Sequence, residues 1–348
     1  MLYTDFAEAD RDLVYPNGYN HKWSLLPLKE RLAISPKFVL DEHAAAMAAN
    51  VGLSKPSSII AALAFLNLAA SPMWIEFSNQ HIRSAMADLG SPNKMMEGST
   101  VQIERTGFIV QKKDDDLLLE YIHRDIDSRM GAVVDFAPVQ GIYSLANLDQ
   151  YKEKSIADLI KSWRRSDRER PNWAGKVKDH GILLEKDDDE FFAYENLFSR
   201  FSFIPHPEGA RLKQAVTSLI GEQAVAQVEE RQANDMMRMF VQFVLPALIL
   251  LNCRNAVDVE TVPAPSKLNK QRQKKGKPPI AEYRAVTVHL SPTRRTVYES
   301  RGGVRNNVRG GLVIGHFKVR KSGVFWWSPF WRGSPTSTTP PKVYHVTR

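Results

Sequence analysis

Two histidines in the C-terminal third are the side chains best suited to acid–base chemistry. His289 ends an alternating segment, and His316 lies among cations and aromatic residues. Because histidine exchanges protons near neutral pH, the pair is a candidate for a metal-independent nuclease, with Tyr283, Tyr298 or an arginine as a helper. A lone histidine on a strand is more often structural or a phosphate contact. We therefore favour a protein that is not an enzyme.

The most distinctive passage is GHFKVRKSGVFWWSPFWRG, residues 315–333, which alternates cations with aromatic residues. Sheets that bind single-stranded nucleic acid use exposed rings for base stacking and cations for phosphates. A small β module also needs such rings for its own core, so alternation must point some of them inward. The candidate nucleic-acid contacts in this passage are Lys318, Arg320, Lys321, Trp326, Trp331 and Arg332.

A second basic segment, residues 267–277, holds six cations in eleven residues. Clustered cations favour nucleic acid because phosphate contacts release condensed counterions. The same composition is typical of a nuclear localisation signal or of a solvated tail. The candidate phosphate contacts here are Lys267, Lys270, Arg272, Lys274, Lys275 and Lys277.

The charge of the 348-residue chain is divided unevenly. Its net charge is +8, but residues 264–348 carry 18 basic and two acidic side chains, and the first 263 residues are net negative. This division indicates a basic region attached to a mildly acidic body. The predicted partner is nucleic acid, DNA or RNA, and the alternative is an acidic host or virion protein.

Several other classes of function are not supported. Cys253 is the only cysteine, so neither a disulfide framework nor a cysteine zinc site can form. The chain lacks phosphate-binding, dinucleotide, nucleophile-elbow and zinc-protease motifs. The acids of residues 114–116 lack calcium-loop spacing. We predict no cofactor and no metal. The apolar run Phe240–Leu251 is shorter than the roughly 20 residues of a membrane span, so we expect a buried helix and no membrane partner.

The hydrophobic periodicity predicts an α+β fold, with a mainly helical body around a central antiparallel sheet and a small basic antiparallel β module at the C-terminus. Alternation predicts strands within residues 100–145, 280–290 and 312–327. The short loop Lys321-Ser322-Gly323 inside the last range predicts a β-hairpin. Residues 74–89 fit either a strand followed by a helix or one helix. Helical spacing begins near Pro36 and again at Pro56, and a long helix ending near Leu251 should bend at Pro246.

Composition divides the chain into four parts. We predict an acidic body over residues 1–262, a stiff basic linker over 263–279, a basic β module over 280–333 and an extended tail over 334–348. The boundary near residue 262 is set by Val262-Pro263-Ala264-Pro265, which favours an extended backbone.

Four passages carry a resemblance to a known group of proteins: Leu248–Val288, Gly315-His316, Trp327–Gly333 and Ser71–Phe77. They resemble uncharacterised proteins encoded by proteobacterial phages and prophages. The resemblance implies a bacterial host, which makes a nuclear localisation signal unlikely, and it supplies no catalytic residue.

Three hypotheses follow for function. The first is a phage-encoded protein that binds nucleic acid, or a host factor, in the host cytoplasm. The second is a virion component that contacts packaged genome or neighbouring subunits. The third is a toxin-like nuclease built around His316.

Overall fold

A computed structural model gives the fold. It describes residues 2–8, 26–88, 101–127, 131–137, 139–148, 151, 158–159, 161, 189–207, 209, 213–214, 217–218, 221–276, 279–288, 311–313, 315–328 and 330–332. These residues form an α+β protein, as predicted, in which helices pack on a large mixed sheet.

The helices and strands are numbered in chain order. The helices are α1 (Leu2–Glu8), α2 (Leu26–Ile34), α3 (Glu42–Ser54), α4 (Pro56–Leu63), α5 (Asn79–Asp88), α6 (Asp189–Ser199), α7 (Glu222–Met239), α8 (Leu245–Asn252) and α9 (Ser266–Lys274). The strands are β1 (Lys37–Leu40), β2 (Met73–Ser78), β3 (Val101–Lys113), β4 (Asp116–Asp127), β5 (Gly131–Phe136), β6 (Val139–Ser144), β7 (Phe201–Pro205), β8 (Val257–Val262), β9 (Tyr283–Val288), β10 (Gly311–Val313), β11 (His316–Arg320), β12 (Gly323–Trp327) and β13 (Phe330–Arg332).

The main sheet contains nine of the described strands in the order β7-β6-β4-β3-β2-β1-β9-β8, with β5 paired to β4. The pairs from β2 through β7 are antiparallel, which agrees with the alternation predicted there. β1 runs parallel to both β2 and β9, so the sheet is mixed. The parallel pair β1–β2 is joined by α3 and α4, since parallel strands need a crossover connection.

The segment that begins at Pro36 differs from its prediction. Helical spacing suggested a helix from that residue, but Lys37–Leu40 is a strand that pairs with β2 and β9. The helix begins later because the Asp41 carboxylate accepts the backbone N–H of Ala44 at 2.7 Å and caps α3. Residues 73–88 form a strand followed by a helix, the first of the two alternatives.

The long core helix spans Glu222–Asn252 and contains one irregular turn. Pro246 has no N–H for the carbonyl of Gln242, and its ring would clash with that carbonyl in a regular helix. The chain instead forms a π-helical turn over Phe240–Val244, in which the Leu245 N–H bonds to the Phe240 carbonyl. The helix therefore accommodates Pro246 with a widened turn.

Glu222–Asn252 is also the one helix in the described ranges that is long and apolar enough to cross a bilayer. The apolar stretch of this helix is 78% buried inside the protein. This burial is the behaviour of a core helix and is consistent with a soluble protein.

Strands β9, β11 and β12 belong to the same core as the body, which corrects the predicted division into parts. β9 lies inside the main sheet between β1 and β8. Phe317, Val324 and Trp326 join the main hydrophobic cluster. The amino-acid composition does change near residue 262, from acidic to basic. A change in composition does not mark a domain boundary here, because strand pairing is decided by contacts between residues that are distant in sequence. The predicted extended linker contains helix α9, and the tail over 334–348 lies outside the described residues.

Two buried carboxylates fix the N-terminal helices to the face of the sheet opposite the main core. The Glu76 carboxylate accepts the backbone N–H groups of Leu2 and Tyr3 and pairs with Arg105 at 2.6 Å. The Glu120 carboxylate pairs with Arg31 of α2 at 2.7 Å. Lys37 adds a cap, since its ammonium group donates to carbonyls at the C-terminal end of α2.

Candidate nucleic-acid interface

The predicted hairpin is present as β11 and β12. Its ladder runs from His316 opposite Trp327 to Arg320 opposite Gly323, with Lys321 and Ser322 in the turn. Gly323 has φ +129°, a conformation that glycine adopts without steric cost. The turn signal read from the sequence is therefore confirmed.

Alternation along the hairpin separates a core side from a solvent side. Phe317 and Trp326 face each other across the ladder at 5.6 Å between ring centroids, and both are 3% exposed. On the other side, Trp327 is 39% exposed, and the Lys318 ammonium lies 3.7 Å from the centre of its ring. At that distance the cation and the ring attract each other.

The hairpin is held to the body by the turn that follows α8. Asn255 makes two hydrogen bonds to the backbone of Trp326, donating to its carbonyl at 3.0 Å and accepting its N–H at 2.9 Å. The Arg254 N–H donates to the Val324 carbonyl at 3.3 Å, and its guanidinium group lies beside Gly323. The hairpin therefore has a fixed orientation, and Arg254 adds a cation to it.

Four cations share the hairpin with the exposed ring. Lys318 contacts it directly, Arg320 and Lys321 are exposed at the turn, and Arg254 lies next to that turn. We call Trp327, Lys318, Arg320, Lys321 and Arg254 the hairpin face. Rings and cations that share a surface in this way can stack a base and contact its flanking phosphates.

The positions of the predicted aromatic residues require one correction. The Trp326 ring is buried, so it is a core residue and no base can stack on it. Its neighbour Trp327, which the sequence did not single out, takes the exposed position. Trp331 and Arg332 lie in β13, paired with Leu312 and Gly311 of β10, and only their backbones are described.

Most of the basic segment lies in helix α9, Ser266–Lys274, which has no buried residue. Asn269 fixes it by donating to the Ile280 carbonyl at 2.8 Å and accepting the Ile280 N–H at 2.7 Å. Lys267, Lys270 and Lys274 are exposed, and a rotation of about 100° per residue places them on one side of the helix, away from Asn269.

The other cations of this segment differ in position. Lys275 is exposed just after the helix, and Arg272 is half-buried. Lys277 lies outside the described residues.

Of the two histidines in the nuclease hypothesis, His316 is the one that lies among the described residues. The His316 ring lies 5.9 Å from the Trp327 ring, centroid to centroid, and is half-buried. His289 lies outside the described ranges. In the part of the chain that the structure describes, no three histidine, cysteine or acidic side chains are grouped as metal ligands.

The structure contains a buried polar cluster that sequence reasoning missed. Glu120 accepts hydrogen bonds from Arg31 and from Gln140 at 3.0 Å, and the His206 Nε2 lies 3.8 Å from it. Burial, reinforced by the Arg31 charge, lowers the pKa of His206 to about 4. The four residues come from α2, from β4, from β6 and from the residue just after β7, so their spacing in sequence gave no signal. The cluster fastens α2 to the sheet.

Comparison of the chain with protein-family models, with curated proteins and with solved structures gives no match. The hairpin face and α9 are therefore the features from which a function can be inferred.

Proposed function

We propose that this protein binds nucleic acid, and that the hairpin face is the surface that contacts single-stranded segments. The observation that carries the proposal is the pairing of exposed Trp327 with the Lys318 ammonium at 3.7 Å, next to Arg320 and Lys321. The indole offers a surface for stacking, and the cations neutralise phosphates on either side of the stacked base.

The fixed orientation of the hairpin strengthens this proposal. Side chains on a mobile tail lose conformational freedom when they bind, whereas a preformed surface loses less. The hydrogen bonds of Asn255 and the core packing of Phe317 hold the hairpin face in place before any ligand arrives. The exposed lysines of α9 add phosphate contacts that do not depend on base sequence.

The proposed location follows from the resemblance to phage-encoded proteins. We propose that the protein acts in the cytoplasm of an infected bacterium. The same surfaces would serve a virion component that touches packaged genome, and detection of the protein in purified particles would favour that alternative.

The test is fluorescence anisotropy with a labelled 20-nucleotide oligothymidylate at low salt. The intact protein should bind it, and Trp327→Ala should weaken binding about five- to 150-fold, the range for loss of one stacked base. Lys318→Gln and Arg320→Gln should weaken binding and flatten its salt dependence, because each removes a phosphate contact.

Lys113→Gln is the matched control. Lys113 is exposed at the turn between β3 and β4, so the variant loses the same charge outside the hairpin face and should bind like the intact protein. Absence of binding by the intact protein, or equal binding by the Trp327 and Lys113 variants, would overturn the proposal.

A further inference from the structure

The two basic surfaces lie at opposite ends of strand β8. The hairpin is bonded to Arg254 and Asn255, just before β8 begins at Val257. Helix α9 begins at Ser266, just after β8 ends at Val262. A strand of this length spans about 17 Å at about 3.3 Å per residue, and it lies between the points where the two surfaces are attached.

They also lie on opposite sides of the main sheet. The buried side chains of the hairpin join the cluster formed by the core helices. The segment that anchors α9 contributes Ile280 and Ala281 to the other cluster, which contains Leu2 and Tyr3. The Tyr3 hydroxyl donates to the Ala281 carbonyl at 3.3 Å and ties this segment to α1.

The strand between the two surfaces carries negative charge. Asp258 and Glu260 of β8 are exposed, and β8 is the last strand of the sheet among the described residues. Carboxylates repel phosphates, so among the described residues the acids of β8 disfavour a continuous run of phosphate contacts from the hairpin face to α9.

We infer that the hairpin face and the α9 lysines Lys267, Lys270 and Lys274 are two independent nucleic-acid contacts, and that one protein molecule joins two nucleic-acid segments. The inference rests on the proposed function and adds bridging to it. Three observations favour two separate nucleic-acid segments over one segment that runs across both surfaces. These are the separation along β8, the placement on opposite sides of the sheet and the acids between them.

Bridging is measured with two oligothymidylates of 20 nucleotides, one biotinylated on beads and one fluorescent in solution. These oligonucleotides cannot pair with each other, so the beads retain fluorescence only when protein joins them. The full-length protein should retain the fluorescent strand. The variant Lys267→Gln/Lys270→Gln/Lys274→Gln should still bind one oligonucleotide in anisotropy but lose at least 90% of the retained fluorescence.

The reciprocal variant is Lys318→Gln/Arg320→Gln/Trp327→Ala. It should bind one oligonucleotide weakly through α9, with a strong dependence on salt, and should also lose bridging. Lys112→Gln/Lys113→Gln is the charge control and should bridge like the intact protein.

The outcomes separate the two proposals. Full bridging by the α9 variant would overturn the inference, because the hairpin face alone, in a self-associated protein, would then account for it. Loss of all oligonucleotide binding in the hairpin variant would also overturn it, since α9 would not be a contact. Failure of the intact protein to bind any oligonucleotide would instead overturn the proposed function itself.

Discussion

The Cα atom of Gly52 packs directly against the backbone carbonyl of Gln242. A methyl group at Gly52 would overlap that oxygen. Gln242 lies in the π-helical turn. Its carbonyl lacks the usual helical donor, because Pro246 has no backbone N–H. The close approach of α3 to the core helix therefore depends on a glycine in one helix and on an irregular turn in the other.

Gly52→Ala should destabilise the protein, because the added methyl group must push two packed helices apart. Overpacking of a core typically costs about 1–3 kcal/mol. The free energy of unfolding from urea titration measures the loss. In a Pro246→Ala background the turn can relax, so the same substitution should cost less, and equal costs in both backgrounds would contradict this coupling.

His206 should make stability depend on pH between about 6.5 and 4. Its folded pKa of about 4 lies below the ordinary 6.5, so at intermediate pH the unfolded chain binds a proton that the folded protein does not. This contribution is complete above pH 6.5 and is lost as pH falls through the folded pKa. Between pH 7.5 and 5 it amounts to about 2 kcal/mol.

The measurement compares urea unfolding of the intact protein and of His206→Gln at both pH values. The variant removes the one imidazole and leaves the other residues of the cluster in place. The variant should lose about 2 kcal/mol less on acidification. Parallel losses in the two proteins would show that His206 is not held neutral.

Neighbouring tryptophans of the hairpin should respond differently to truncation. Trp326→Ala removes a ring from the core and should cost about 3–5 kcal/mol. Trp327→Ala should cost about 1 kcal/mol or less, since it removes a half-exposed ring and its contact with Lys318. Urea titration of both variants checks the difference. A larger loss for Trp327→Ala would reverse the assigned orientation of the hairpin.

Cys253 should be unreactive in the folded protein. Burial raises the pKa of its thiol to about 12, and the thiolate is the reactive form. At pH 8, 5,5′-dithiobis(2-nitrobenzoic acid) should label this one cysteine only after urea is added. Complete labelling of the native protein within minutes would contradict its burial.

Local sequence patterns predicted the strands, helix starts and turns that depend on residues close together in the chain. Alternation identified the strands of residues 101–144, and Pro56 marked the start of α4. The turn at Lys321-Ser322-Gly323 was also visible, and it places Trp326 opposite Phe317. Because neighbouring residues of a strand face opposite sides, the same pairing places Trp327 on the outward side.

Contacts between distant segments escaped prediction. Lys37–Leu40 is a strand because β2 and β9 provide its hydrogen bonds, 33 or more residues away. Arg254 joins the hairpin face through contacts with a segment about 70 residues further along the chain. The Glu120–His206 cluster depends on how β4, β6 and β7 are ordered in the sheet. Hydrophobic periodicity carries no information on any of these.

The position of β9 has a consequence for synthesis of the chain. β1 is made early, but its partner β9 follows about 245 residues later, and β8 pairs only with β9 among the described strands. Until Tyr283–Val288 has left the ribosome, the nascent chain exposes an unpaired edge at Phe38, Val39 and Leu40. Such edges recruit other strands, so ribosome-bound intermediates of this protein should depend on chaperones until the last third has been translated.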